Sequence, residues 1–405
     1  MLLTSARPEL IQQVREARSA TDRLFEIIRP DSWYERPISE RHRLIFYLGH
    51  LEAFDWNLIA GKTLGERPFH PAFDKLFEFG IDPPEGSLPS DQPLDWPSVD
   101  EVRDYNRQVR EKLDGWMDHV PEQLVHVALE HRLMHAETLA YLLHGLDYAH
   151  NHPQSSAAFP LGAPMSPAMI DVPSGIATLG QSPDAFGWDN EFARHQVHVP
   201  AFSIARYKVT NGEYLEFVRA GAAAPHFWSK RGEAWQWRGM FEEIPLPLDW
   251  PVYVTQAEAA AYAQWKGLQL PTEEQFHRAA FGSPAGRERL YPWGDSAPDE
   301  TRGNFDFVRW EPAPVSAYPL GDSAFGVAQL VGNGWEWTST VFAPFRGFET
   351  FPFYPGYSSN FFDGNHYVMK GASPRTAACL LRRSFRNWFR SRYPYVYATF
   401  RLSGN

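Results

Sequence analysis

Apolar residues return at helical spacing in four stretches of the first 150 residues: Pro8 to Ile28, Glu40 to Ile59, Val99 to Met117 and Pro121 to Leu146. Each stretch predicts a helix with one apolar face, and four in succession predict a bundle. Pro121 suits a first helical turn and Gly145 lies near the last, which brackets the fourth helix. Between His150 and Gly175 the periodicity stops. Pro153, Pro160, Pro164, Pro167 and Pro173 favour extended chain there, so residues 151–172 are expected to form a linker. Beyond it come short strand-like runs (Gln196 to Val199, Phe202 to Tyr207), two helical stretches (Gly212 to Arg219, Gln256 to Trp265) and many Gly and Pro turns. The pattern predicts a helical domain over residues 1–150 and an irregular α+β domain over residues 173–405.

Composition narrows the function classes. With 43% apolar and 21% charged residues among 405, the chain has the make-up of a folded, multi-core protein and not of a disordered or coiled-coil one. A formal charge of −11 has the wrong sign for sequence-independent binding to a phosphate backbone, which excludes nucleic acid as the expected partner. The charge is uneven, since no Asp or Glu follows Asp363 while eight Lys or Arg do, and an anionic group would find its partners in that tail. Trp337 to Phe400 is also crowded with rings, 18 in 64 positions. Cys379 is the lone cysteine, so no intrachain disulfide or CxxC motif is possible, and a reducing cytoplasm is the expected location. The start of the chain lacks the basic flank and apolar run of a secretory signal, and nowhere do about 18 apolar residues run together, so no membrane span is expected.

Three histidines carry the candidate chemistry. His131 and His135 are four apart on one helical stripe that reads Leu124, Ala128, His131, His135, Thr138, Leu142. On spacing alone such a pair fits two packed or exposed imidazoles as well as a metal site. His50 changes the balance: it lies mid-pattern in the second helix, where a buried neutral ring needs partners for both nitrogens. Three imidazoles suit zinc, iron or copper, and a six-coordinate iron so held keeps about three positions open for reactants.

Longer motifs identify a resemblance. Pro173-Ser174-Gly175 with Leu179-Gly180, then Tyr207-Lys208-Val209-Thr210-Asn211-Gly212-Glu213-Tyr214, Leu270-Pro271-Thr272-Glu273-Glu274, Tyr291-Pro292-Trp293-Gly294-Asp295 and Gly332-Asn333-Gly334-Trp335-Glu336-Trp337 resemble the formylglycine-generating-enzyme-like fold, an α+β module related to C-type lectins. Preceded by a four-helix bundle of the DinB type, the whole chain is similar to the ergothioneine-biosynthetic sulfoxide synthases, which are nonheme iron enzymes. The resemblance implies that the bundle supplies iron(II) ligands at His50, His131 and His135 and that the second domain supplies the substrate pocket. It implies a reaction joining a chalcogen to C2 of the imidazole of hercynine, the trimethylated betaine of histidine, with dioxygen as oxidant. The family's closing Arg-Asn-Trp run matches Arg386-Asn387-Trp388, making Asn387 and Trp388 candidate betaine contacts. Copper chemistry of the formylglycine-generating branch needs two cysteines and is excluded here.

Departures from the family pattern bear on the second substrate. Members using γ-glutamylcysteine have an Asp directly after the Asn-Trp pair and an Arg four residues later; here these positions are Phe389 and Tyr393. An ionic group placed opposite them loses charge-assisted hydrogen bonds worth about 1.5 to 3 kcal/mol each. Arg390 and Arg392 are the nearby candidates to compensate. Met134 stands where a Gln commonly reaches the substrate ring, and the loop Gly347 to Phe353 has no Tyr where the family carries a proton-delivering one, leaving Tyr354 and Tyr357 as candidates. These losses, with the run Phe46 to Trp56, resemble the selenoneine synthases, which pair hercynine with a selenosugar. Two other readings stay open: a sulfoxide synthase using cysteine or γ-glutamylcysteine, and a non-catalytic ligand-binding module or zinc-dependent thiol transferase.

Overall fold

The computed structural model describes residues 6–78, 87–154 and 159–404, and residues 155–158 of the expected linker lie outside them. The chain divides into two compact units, Met1–Gln154 and Ser155–Asn405. Among the described residues no helix is long and apolar enough to cross a membrane.

The first unit is built on α1 (Ala6–Phe25), α2 (Leu44–Asp55), a short α3 (Pro71–Leu76), α4 (Val99–Asp114) and α5 (Glu122–Gly145). The four expected helices are present, with ends moved by a few residues. α1 packs on α5, while α2 packs on both α4 and α5. α2 is buried over nearly its whole length, including the polar His50, Glu52 and Asp55, so it is the central helix of the bundle. It continues as wider π-helical turns over Trp56–Thr63, a device often found beside functional sites. The helix that the sequence does not announce is α3, in the Pro/Gly-bearing connection. Tyr105 of α4 donates its hydroxyl hydrogen to Asp74 of α3 (2.8 Å), which seats this turn on the bundle.

Among the described residues, the second unit holds twelve strands and three α-helices. Its strands are β1 (Met169–Val172), β2 (Gly175–Leu179), β3 (His195–Val199), β4 (Phe202–Ala205), β5 (Trp228–Arg231), β6 (Ala234–Arg238), β7 (Glu243–Pro245), β8 (Gly334–Val341), β9 (His366–Ala372), β10 (Asn387–Arg390), β11 (Ala398–Thr399) and β12 (Ser403–Gly404). They form four small sheets, ordered β1-β4-β12, β2-β3, β5-β6-β7 and β10-β9-β8-β11. One boundary differs from expectation: Met169–Val172, counted with the linker, is a strand paired antiparallel with β4, because its backbone groups find partners in register with Phe202–Ala205.

The helices are α6 (Asn211–Arg219), α7 (Gln256–Trp265) and α8 (Glu273–Phe281). Each starts with a reciprocal side-chain cap: Thr210 with Glu213, Thr255 with Glu258, Thr272 with Gln275. α8 goes beyond the two expected helical stretches. It forms because Phe276, Ala279, Ala280 and Phe281 bury against Val172, Ala177, Leu179, Val199 and Ile204.

His277 of α8 is buried, with Nδ1 3.2 Å from the Thr178 carbonyl. Burial, followed by the charges of Lys370 and Arg383, holds its pKa well below the ordinary imidazole value. The unfolded chain therefore takes up this proton first as pH falls, and the stability contributed by the neutral ring, full above about pH 6.5, is lost on acidification. The stability difference between the wild type and His277→Gln should shrink by about 2 kcal/mol between pH 7 and pH 5 in denaturant titrations. A difference independent of pH would show that the ring takes up its proton equally well in the folded and the unfolded chain.

Candidate metal centre

The sequence of α2 sets one half of the centre. Gly49 is required by packing, because a Cβ there would lie 2.6 Å from the ring of Phe77. That close approach brings the Phe77 carbonyl to 2.7 Å from Nδ1 of His50. A carbonyl only accepts, so Nδ1 carries the hydrogen and Nε2 presents its lone pair. Fixing a ring through its other nitrogen in this way is the usual arrangement behind a metal-binding imidazole.

α5 supplies the other half. His131 and His135 project from one stripe, as the four-residue spacing requires, with ring centroids 4.5 Å apart. Nε2 of His135 lies 3.2 Å from Nε2 of His50. One ligating nitrogen from each of the three rings lies within 4.8 Å of the others, the sole His/Cys/Asp/Glu group of three or more so arranged among the described residues. Aromatic faces support two rings: Phe46 stacks on His50 (4.9 Å, 20°) and Phe54 on His131 (3.4 Å, 9°).

Electrostatics agree with the geometry. Burial lowers the His50 pKa to about 4, and burial with mutual repulsion holds His131 and His135 well below the ordinary value. All three are neutral at physiological pH, the form that binds metal. Ligands about 2.0 to 2.1 Å from one ion cannot be more than about 4.2 Å apart. The 3.2 Å between His50 and His135 lies inside that limit, and His131, with its nitrogen within 4.8 Å of both, joins them on one divalent first-row metal after a shift of a few tenths of an ångström.

The substrate candidates other than Met134 lie in the second unit. Residues Asn387, Trp388, Phe389 and Arg390 form β10, so their side chains alternate between its two faces. Trp388 stacks on Phe342 (4.2 Å, 7°), meets Tyr357 edge to face (5.4 Å, 81°) and lies tilted against Phe361 (5.6 Å, 50°). Tyr357 in turn stacks on Trp188 (4.0 Å), and Tyr354 lies against Tyr357 (5.6 Å). Burial and then the Asp189 carboxylate push the Tyr354 phenol up to about 12. Asn387 turns its amide oxygen to the Trp388 backbone N–H (2.8 Å). Phe389 stacks on Tyr393 (5.1 Å, 18°), with the Arg390 guanidinium 5.8 Å from the Tyr393 ring centre. Met134 follows the other α5 residues onto a half-buried position beside His135. Sequence reasoning missed Phe77, Trp188, Phe342 and Phe361, none of which belongs to a motif; the ring density after Trp337 was the signal for the last two.

Comparison with known proteins follows the same division. Residues 13–144 match the model of the DinB superfamily, and residues 155–404 match that of the sulfatase-modifying factor enzyme 1-like domain. A protein of Mycolicibacterium thermoresistibile named hercynine oxygenase is 34% identical, the match covering 98% of this chain and 95% of the relative. The chain belongs to the hercynine oxygenase family. A second family member from Mycolicibacterium smegmatis is 34% identical over 95% of each chain. Ergothioneine biosynthesis protein 1 of Neurospora crassa is 27% identical over 93% of this chain and 55% of its own length. Family membership accounts for a DinB-type bundle and a formylglycine-generating-enzyme-like domain in one polypeptide.

Proposed function

We propose that this chain is an iron(II)- and dioxygen-dependent enzyme that joins a chalcogen to C2 of the imidazole of hercynine, with a selenosugar as second substrate. The observation that carries the reading is the meeting of three neutral imidazoles from α2 and α5, one of them fixed with its Nε2 lone pair outward. Relatives named hercynine oxygenase support the first substrate. Held by His50, His131 and His135, iron(II) would supply redox chemistry toward dioxygen and open coordination positions for the reactants. The C2–H and Se–H bonds break and the C–Se bond forms. When one oxygen ends on the chalcogen and the other in water, the four electrons balance.

The chain's own residues bind and hold protons. The ring faces of Trp388 and its neighbours suit a quaternary ammonium, at about 0.5 to 2 kcal/mol for each contact, and Asn387, the next residue of β10, is the proposed polar contact. Tyr354 keeps its phenolic proton at neutral pH and, with Tyr357, is the proposed donor. Met134 offers a thioether in place of an amide, so the substrate ring takes its hydrogen bond elsewhere. The Phe389–Tyr393 stack offers an uncharged surface, which supports a sugar-like second substrate over a zwitterionic dipeptide. The single exposed cysteine supports action in the reducing cytoplasm.

The relatives' names favour a second reading, a sulfoxide synthase using cysteine or γ-glutamylcysteine with Arg390 or Arg392 as clamp. Assays of the iron-loaded enzyme with hercynine and each of selenosugar, cysteine and γ-glutamylcysteine separate the two, and turnover of the dipeptide alone overturns the selenium assignment. Zinc retained with no iron-dependent turnover of any of them would return the chain to a binding or thiol-transfer role. Phe389→Asp combined with Tyr393→Arg should raise turnover of γ-glutamylcysteine about tenfold or more and depress that of the selenosugar, since each restored charge-assisted hydrogen bond is worth about 1.5 to 3 kcal/mol. Unchanged selectivity in the double variant would show that these positions do not face the second substrate.

A further inference from the structure

Behind the imidazoles lies a second, fully buried set of charges. Arg132, next to the ligand His131 on α5, donates from one guanidinium nitrogen to Glu52 Oε1 (3.0 Å) and Asp55 Oδ2 (3.0 Å) of α2. Its other terminal nitrogen reaches the Thr21 hydroxyl of α1 (3.3 Å). Glu52, two residues from His50, also accepts from Arg110 Nε of α4 (2.7 Å), and Arg110 grips Asp22 of α1 through two further bonds of 2.7 and 2.8 Å. Glu52, Asp55 and Arg132 are each no more than 1% exposed. One guanidinium thus ties the helix carrying His50 to the helix carrying His131 and His135, within two residues of a ligand on each side.

An ion pair this deep is a poor way to gain stability, because desolvation offsets most of its attraction and apolar replacements often do as well. What it does supply is direction. A guanidinium held to two carboxylates one helical turn apart through one nitrogen, and to the Thr21 hydroxyl through the other, admits one register and one rotation of α5 against α2. Packing of Leu, Ala and Ile side chains alone tolerates small slides of a helix, whereas imidazoles sharing an ion do not.

We propose that Arg132 is a positioning residue for the metal centre, its bonds to Glu52 and Asp55 fixing the register of α5 on α2 that brings His131 and His135 to His50. The inference rests on the metal reading above, and the experiment keeps the two apart. Arg132→Met paired with Asp55→Asn removes one charge of each sign and leaves Glu52 with Arg110, so no buried ion is orphaned. Arg132→Lys keeps the charge but loses the second nitrogen that reaches Thr21 and the fixed plane that aims the first at Glu52 and Asp55.

Cobalt(II) binding to the full-length protein is followed by its visible ligand-field spectrum and by competition with a chelator, with thermal unfolding of the metal-free protein alongside. Both variants should bind cobalt about tenfold to a hundredfold more weakly, with altered band positions and intensities, while the double variant unfolds close to the wild-type temperature. A double variant that folds and binds cobalt with wild-type affinity and spectrum overturns the proposal. Should the double variant not fold, Arg132→Lys decides in the same way. A wild type that binds no cobalt or iron refutes the metal reading itself, and the positioning role with it.

Discussion

His50→Ala is expected to abolish iron binding and turnover together. The substitution removes a nitrogen whose lone pair is directed by the Phe77 bond, and it leaves two ligands on α5 alone. Disturbing groups that merely orient a ligand costs about tenfold to a hundredfold in affinity, so losing a ligand should exceed about a hundredfold. The measurement is iron content after anaerobic loading and desalting, with turnover on hercynine. The fold should survive, because the vacated Phe77 carbonyl costs only about 1 to 3 kcal/mol. Retained iron at wild-type affinity in a folded His50→Ala protein would remove the foundation of the functional reading.

Glu336→Ala should be the most damaging single change to the second unit. Glu336 sits between the two tryptophans of Trp335-Glu336-Trp337, with no side-chain exposure, and pairs with Lys208 (2.8 Å) and Arg401 (2.6 Å to each oxygen). Burial alone would raise its pKa, but the two cations outweigh burial and hold it low, while burial draws Lys208 down to about 8. Truncation leaves Lys208 and Arg401 facing each other without an anion, a loss of about 3 to 5 kcal/mol. Denaturant unfolding followed by tryptophan fluorescence would read it directly. Replacing all three charges by apolar residues of similar volume should recover most of the loss, since the cost comes from the orphaned cations and not from the missing pair. A Glu336→Ala protein within about 1 kcal/mol of wild type would mean that water reaches this triad.

Legibility differed between local and distant features. Helical spacing in residues 8–146 determined the four bundle helices, and it determined that His131 and His135 share a face, because positions four apart always do. His50 stood out as an imidazole inside an apolar pattern. The motif landmarks identified the second domain, and the absence of acid after Asp363 and the substitution of Phe389 and Tyr393 were plain from residue identity alone. Strand β1 and helix α8 were less legible, since their pairing and burial partners lie elsewhere in the chain.

Only the tertiary structure decided that the Phe77 carbonyl reaches His50, that Arg132 bridges to Glu52 and Asp55, and that Trp188 joins Tyr357 from nearly 170 residues away. Residue spacing dictates which side chains of one helix or strand point together. It carries no measure of which element lies opposite, because that depends on how whole surfaces pack, and here a glycine's missing Cβ and one guanidinium's two bonds set the approach.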